Sequence, residues 1–327
     1  MEQRPLGRTG RTVSAVGLGC VTFGREIDED TSYRVLDDAV EKGITLFDTA
    51  EGYGGGNARL SRRQRFGVND VREVSDEMGS SECTLGRWMR LRGCREQVTI
   101  CTKVSSGNSP ENIRRALATS LERLGIDCVD LYLLHKFDPE APIDETLSAL
   151  TDEIRVGRVR AIGCSNFSAT QLRNALAVSQ ARGYARFDVL QPPYSLAAPQ
   201  AAHDLFPLCR QEQVAITTYS PLAAGFLSGK YTPDRSQFPK GSRFHILPGH
   251  ADIYFSERNF RMIERLREKS QELDLPMVRL AMAWAMAHPD VTSVLIGARH
   301  AGHIDNALAA FDMKLNLDLR AEMASWG

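Results

Sequence analysis

The sequence predicts a (β/α)8 TIM barrel of the α/β class, with an N-terminal β-hairpin and long loops at its C-terminal face. Three observations predict it. Eight short apolar segments alternate with segments whose apolar residues recur at helical spacing. The strand segments are apolar nearly throughout, as parallel strands covered on the outside must be. Titratable residues gather where those strands end, so that closing the sheet brings them to one rim. A length of 327 residues suits one domain or two. The eightfold alternation favours a single barrel domain over 1–327.

In chain order, residues 4–12 read as a hairpin with a Gly-containing turn ahead of an apolar run, 13–19. A helix begins at Asp30, with acidic residues in its first turn and Tyr33, Leu36 and Val40 on its inner face, and stops at Gly43. The next starts near Ser81 and Glu82, with Leu85, Trp88 and Leu91 inward. Pro110 opens the clearest helix, where Ile113, Leu117, Leu121 and Leu124 recur before Gly125 ends it. Helices over 143–154, 169–182 and 200–212 alternate with strands over 159–163, 187–190 and 214–219. A long loop, 220–256, precedes helices over 258–272 and 277–287, a strand over 292–296 and a helix over 300–310.

Composition excludes several classes. With 43% apolar and 25% charged residues the chain has carbon enough for a large core. A net charge of -1 from 40 basic and 41 acidic residues gives no overall field to draw in nucleic acid or an anionic membrane. The seven cysteines are scattered, without a Cys-x-x-Cys pair, and Cys101, Cys128 and Cys164 fall in apolar strands, which reads as a reducing cytoplasm. The N-terminal Met-Glu-Gln-Arg-Pro lacks a signal peptide's apolar core, and no run approaches the roughly 18 residues of a membrane span. His203, His245, His250, His288, His300 and His303 show no ligand spacing, so no metal is expected.

The chemistry concentrates at three strand ends. Residues 44–54 run as an apolar strand into a Gly-rich turn carrying Asp48 and Tyr53, strand 98–103 ends in Lys103, and strand 129–135 ends in His135. A phenol with an unperturbed pKa of about 10 protonates an oxygen poorly at neutral pH unless a nearby cation makes its anion less costly. A lysine supplies that cation, and a carboxylate holds the lysine charged. A neutral imidazole hydrogen-bonds a carbonyl oxygen under reduction.

At these residues the chain resembles the aldo-keto reductase superfamily of NAD(P)H-dependent oxidoreductases. The family's Asp-Thr-Ala-x-x-Tyr-Gly matches 48–54, its Thr-Lys strand end matches Thr102 and Lys103, and its Leu-Leu-His matches 133–135. The resemblance implies that Tyr53 is the general acid, that Lys103 and Asp48 set its pKa, and that His135 orients the carbonyl. It also implies that the hairpin plugs the barrel floor and that the loop 20–24 meets nicotinamide and substrate.

A Rossmann fingerprint is excluded, because Gly17-Leu-Gly19 is followed by Cys-Val-Thr. The resemblance implies another dinucleotide site. Ser165 and Asn166, in Gly-x-Ser-Asn, grip the nicotinamide carboxamide with Gln191, and Tyr219 stacks on the ring. The bland reading of Ser165 and Asn166 is a helix N-cap region. Ser220, Leu222, Gly225 and Lys230, in Ser-Pro-Leu-x-x-Gly-x-Leu-x-Gly-Lys, hold the pyrophosphate. Gly297 and Arg299 enter a helix where the adenosine phosphate binds, and an arginine there favours NADPH over NADH. The pattern's glutamine is here His303, and its asparagine near the adenine is Ala307.

Segment 57–80 is an insertion relative to the resembling pattern, basic first (Arg59, Arg62, Arg63, Arg65) and then acidic (Asp70, Glu73, Asp76, Glu77). Leaving just after Tyr53, it is either a surface excursion or a lid. The aromatic loop 231–255, with Phe238, Phe244, Ile246, Leu247 and Tyr254, is expected at the substrate pocket. The implied reaction is NADPH-dependent reduction of a small-molecule aldehyde or ketone. The alternatives are oxidation of an alcohol or sugar, or a nucleotide-binding partner of the potassium-channel β-subunit kind with little turnover. No oligomeric state is implied.

Overall fold

The computed structural model describes residues 1–66, 74–246 and 248–326. Asp70, Glu73 and Leu247 lie outside the described residues, as do the side chains of Arg62, Arg65, Ile246 and His250.

The chain opens with β1 (Gln3–Pro5) paired antiparallel to β2 (Thr12–Ser14), Arg4 opposite Val13. The apolar run expected as one strand divides after Ser14, and β3 (Val16–Gly19) starts the barrel. The division follows from the geometry, because a floor hairpin and a wall strand point in different directions. Ser14 holds the turn by donating its hydroxyl to the Val16 carbonyl at 2.6 Å.

The wall continues through β4 (Leu46–Asp48), β5 (Thr99–Val104), β6 (Val129–Leu134), β7 (Val159–Ser165), β8 (Phe187–Gln191), β9 (Ala215–Thr218) and β10 (Ser293–Gly297). Among the described residues these eight strands, all parallel, close a barrel in which β10 pairs with β3. Two apolar layers result. Inside, Leu46, Cys101, Leu131, Leu133, Val189 and Leu295 pack with Leu6 and Val13 of the hairpin, which therefore plugs the floor. Outside, the other strand faces meet the helices.

Those helices are α1 (Glu29–Glu41), α2 (Gly55–Phe66), α3 (Ser80–Arg92), α4 (Pro110–Leu124), α5 (Ile143–Arg155), α6 (Ala169–Arg182) and α7 (Ala201–Glu212). After β9 come α8 (Arg243–Ile246), α9 (Ala251–Tyr254), α10 (Glu257–Glu272) and α11 (Met277–Met286), and after β10 come α12 (Ala301–Asp312) and α13 (Leu317–Ala324). Capping residues set several boundaries. Asp28 accepts from the Thr31 N–H and starts α1 ahead of the expected Asp30. Ser109 caps α4 before Pro110, and Gly125 ends it at φ 64°.

Three expectations are corrected, and one helix is added. Leu91 points outward at 62% exposure while Met89 is buried, because six residues along a helix turn a side chain roughly 240° from Leu85. Cys128 stands just before β6 and is half-buried. The loop 220–256 contains a 3₁₀ turn (Ala223–Ser228), α8 and α9. The unforeseen α13 docks through Arg320, whose carbonyl accepts from Trp284 Nε1 at 3.1 Å and whose guanidinium donates to Tyr194 Oη at 2.8 Å.

The floor has its own electrostatic tie. Asp130 of β6, 1% exposed, accepts from the Ile100 N–H of β5 at 2.9 Å. It also faces Arg11 of the hairpin at 3.2 Å, Arg95 at 2.9 Å and Arg160 at 3.2 Å. Asp130→Ala leaves three cations and a buried N–H without their acceptor. The arginines are partly in water, so the expected loss is about 3 kcal/mol, at the lower end for a broken buried pair. Denaturant unfolding of the variant checks it.

Candidate active site

Parallel strands in a closed barrel end on one rim, which is where Asp48, Lys103, Ser165 and Gln191 fall and beyond which Tyr53, His135 and Tyr219 follow. Lys103 is fully buried. Taking an ammonium out of water costs several kcal/mol unless acceptors surround it. Asp48 Oδ1 accepts from Nζ at 2.6 Å and the Thr49 carbonyl at 2.7 Å. The other Asp48 oxygen accepts from Gln191 Nε2 at 2.8 Å, so both carboxylate oxygens are engaged. Burial is the largest single influence and pushes the lysine down, but the charges of Asp48, Tyr53 and Cys101 and the Asp48 hydrogen bond together outweigh it, and the net shift is upward. The ammonium stays charged.

Tyr53 sits on the turn after β4, its N–H donated to the Ala50 carbonyl at 2.9 Å. Lys103 Nζ lies 5.0 Å from the phenol's ring centroid, and His135 meets the ring edge-on at 5.6 Å. Burial pushes the phenol up, Lys103 opposes and Asp48 adds to the rise, so the net direction is upward. This refines the expectation that Lys103 makes the phenol acidic: before any charge develops on a substrate, the cation limits a rise caused by burial. The phenol therefore carries its proton at neutral pH.

His135 follows β6, its N–H bonded to the Val104 carbonyl at 3.1 Å and its carbonyl accepting from Asn166 Nδ2 at 2.9 Å. Burial, then the charges of Lys103 and Lys136, lowers its pKa to about 3. The imidazole is neutral. Ser105 Oγ lies 2.7 Å from its Nδ1.

The segments expected to hold a dinucleotide surround this centre. Ser165 donates its hydroxyl to the Gln191 carbonyl at 2.7 Å, and Tyr219 donates its own to Asn166 Oδ1 at 2.7 Å. The cap of α6 is Ser168, boxed with Gln171, so neither Ser165 nor Asn166 is occupied with capping. Asn166 adopts φ 59°, and Ser220, Ala223, Ala224 and Gly225 lie at 57°, 49°, 57° and 88°. Left-handed non-glycine residues cost of order 1–3 kcal/mol each and cluster where a ligand is held. The Leu222 carbonyl accepts from the Gly225 N–H at 2.8 Å, which keeps this loop tight.

Farther along the rim cations accumulate. Gly297 ends β10 and is exposed, as is Arg299. Burial and then the nearby Arg299 charge lower the Lys230 pKa. His303, depressed to about 4 by burial and then by His300, Arg299 and Lys230, accepts from the Arg299 N–H at 3.2 Å. Ala307 is fully buried in α12. Glu26 is shared among Arg25 at 2.6 Å, Arg243 at 2.8 Å and Arg299 at 3.9 Å. One carboxylate among so many cations, beside the start of α12, is the donor chemistry of a phosphate site.

The aldo/keto reductase family model matches residues 15–325. The chain belongs to the aldo/keto reductase family.

Relatives agree. An uncharacterized oxidoreductase of Bacillus subtilis, YrpG, is 30% identical over 98% of this chain and 94% of its own length. The NADP(+)-linked aldo-keto reductase yakc of Schizosaccharomyces pombe is 30% identical over 93% of this chain and 86% of its own. The NADH-specific methylglyoxal reductase of Escherichia coli is 30% identical over 97% and 95%. The protein is thus an NAD(P)H-dependent oxidoreductase acting on small molecules, and carbonyl reduction is its general reaction. Among the described residues no helix is long and apolar enough to cross a membrane. Among the same residues no group of three or more His, Cys, Asp or Glu is placed to hold a metal.

In this aldo-keto reductase the described residues of segment 57–80 are tied to the loops beside them. Ser80 Oγ accepts from the Gly55 N–H at 3.0 Å and donates to the Phe23 carbonyl at 3.2 Å. The Ser75 N–H donates to the Gly24 carbonyl at 3.0 Å, and Arg59 pairs with Asp76. Gly55 is required there: a Cβ would stand 2.0 Å from the Ser75 carbonyl oxygen and 2.2 Å from that of Gly24. Sequence reasoning missed Arg25, Glu26, Arg243 and Ser105, and also Ser80. Only the adjacency of Arg25 and Glu26 to the loop at Gly24 hinted at any of them.

The imidazole generates a pH prediction. An unfolded histidine titrates near 6.5 and folded His135 at about 3, so between those values the unfolded chain binds more protons. Stability from this group is intact above about pH 6.5 and falls as pH drops towards 3. His288 and His303, both at about 4, act in the same sense. Denaturant unfolding at pH 7 and pH 5 should show this decline, and His135→Gln should flatten part of it.

Proposed function

We propose that this aldo-keto reductase reduces an aldehyde or ketone to the alcohol with NADPH, Tyr53 acting as the general acid. The observation that carries the reading is the fully buried Lys103 ammonium, held by Asp48 at 2.6 Å and standing against the Tyr53 ring. When bound, the nicotinamide supplies a hydride from C4 to the carbonyl carbon. As negative charge grows on the carbonyl oxygen, Tyr53 delivers its proton there. The phenolate left behind costs least where an ammonium faces it, which is the work of Lys103. Asp48 keeps that lysine charged and aimed. His135, neutral at working pH, donates a hydrogen bond to the same oxygen.

Ser165, Asn166 and Gln191 would grip the carboxamide, and Tyr219 would lie against the ring. Ser220, Leu222, Gly225 and Lys230 would take the pyrophosphate, with Gly297 and Arg299 at the adenosine phosphate. The relatives' names divide between NADP(+) and NADH, so the preference for NADPH rests on the cations around Arg299. The chain acts in the cytoplasm as one barrel domain, 1–327, with 57–80 as an insertion at the mouth. Seven cysteines without a disulfide support the reducing compartment.

Tyr53→Phe deletes the proton donor and little else, so kcat should fall by about 10²–10⁴ with the Kd for NADPH nearly unchanged, read by steady-state turnover and fluorescence titration. Arg299→Ala should raise the Kd for NADPH roughly ten- to hundredfold and leave that for NADH alone. Equal effects on both would remove the 2′-phosphate assignment.

A further inference from the structure

We infer that Ser105 is a positioning residue: its hydroxyl donates to His135 Nδ1 and so fixes the imidazole in the tautomer that carries its proton on Nε2. The inference deepens the proposed function and rests on its reading of His135 as a hydrogen-bond donor to the carbonyl oxygen.

A neutral imidazole has one N–H and one lone pair, and which nitrogen holds the proton is decided by the partner at the other. Here the partner is Ser105 Oγ, 2.7 Å from Nδ1. No other hydrogen bond of that hydroxyl is found among the described residues. If Oγ accepted from Nδ1–H, the hydroxyl's own proton would face no protein acceptor. With O–H donating to the Nδ1 lone pair, both groups are satisfied, and the histidine's proton stands on Nε2 at the far side of the ring.

The hydroxyl is held in place for this. Glu51, on the turn that leads to Tyr53, accepts from the Ser105 N–H at 2.9 Å and from the Ser106 N–H at 3.2 Å. Its own N–H donates to the Lys103 carbonyl at 3.0 Å. Between them Gly52 leaves room for Ser105, since a Cβ there would lie 3.2 Å from both Cβ and Oγ of the serine. The histidine backbone is anchored at both ends by Val104 and Asn166. The histidine backbone is therefore fixed by the fold, and Ser105 acts on the ring itself, where it decides the protonation pattern. In the other tautomer a lone pair would face the carbonyl oxygen, repelling the charge that reduction builds there.

The test reads the tautomer directly. Nitrogen-15 NMR of the histidines in the full-length protein at pH 7 should show His135 protonated on Nε2 in the parent and a mixture of tautomers in Ser105→Ala. The kcat for an aldehyde substrate should fall about tenfold in that variant, with the Kd for NADPH unchanged, and Ser105→Thr should restore both tautomer and kcat. A parent protonated on Nδ1 overturns the inference, as does a Ser105→Ala protein whose tautomer and kcat match the parent's. The two readings separate. If Tyr53→Phe retains turnover while the tautomer still follows Ser105, the proposed reaction fails and the assignment of Ser105 stands. If Tyr53→Phe is inactive and the tautomer ignores Ser105, only the inference falls.

Discussion

Everything at the rim depends on one charge that has no access to water. The Lys103 ammonium is fully buried, so it must find its compensation from fixed protein groups rather than from solvent. Asp48 and the Thr49 carbonyl provide it, and Asp48 is in turn held by Gln191 from the far side of the barrel. β4, β5 and β8 are thereby tied through side chains where none of the three pairs directly with both others. A buried ion pair of this sort is weak evidence for stability. Its value lies in precision, since an ammonium with its acceptors in place cannot drift from the phenol above it.

A second constraint runs around the mouth. Asn166 donates to the His135 carbonyl and accepts from the Tyr219 hydroxyl, joining the β6, β7 and β9 ends through one amide in a left-handed backbone. Beyond it, Arg25, Arg243 and Arg299 crowd around Glu26, and Lys230 feels the Arg299 charge. Like charges gathered this closely destabilise a folded chain, so their persistence fits a site that waits for an anion. The strained residues at 220–225 belong to the same account.

How much of this could be read beforehand follows from range. Asp48, Lys103 and His135 were legible because each ends an apolar strand, and parallel closure takes strand ends to one place. The helix at Pro110 was legible because cap, stripe and terminal glycine agree within a few residues. Leu91 misled, since being apolar is no guide to angle around a helix. Helix α13 went unseen because it buries little beyond Met323 and is secured by Arg320 from its own backbone and side chain. The upward shift of Tyr53 and the pairing of Ser105 with His135 depend on burial and distance across loops, which no local pattern encodes. Glu26 and Arg243 are separated by more than two hundred positions, and nothing in either neighbourhood announces the other.

The hairpin that packs Leu6 and Val13 into the barrel makes the interior a cul-de-sac. Among the described residues the floor is closed, so reactants, products and exchanging protons meet Lys103 and Tyr53 from the rim, and whatever settles deepest must arrive first and depart last. Order of binding would then be imposed by architecture, without any switch to enforce it.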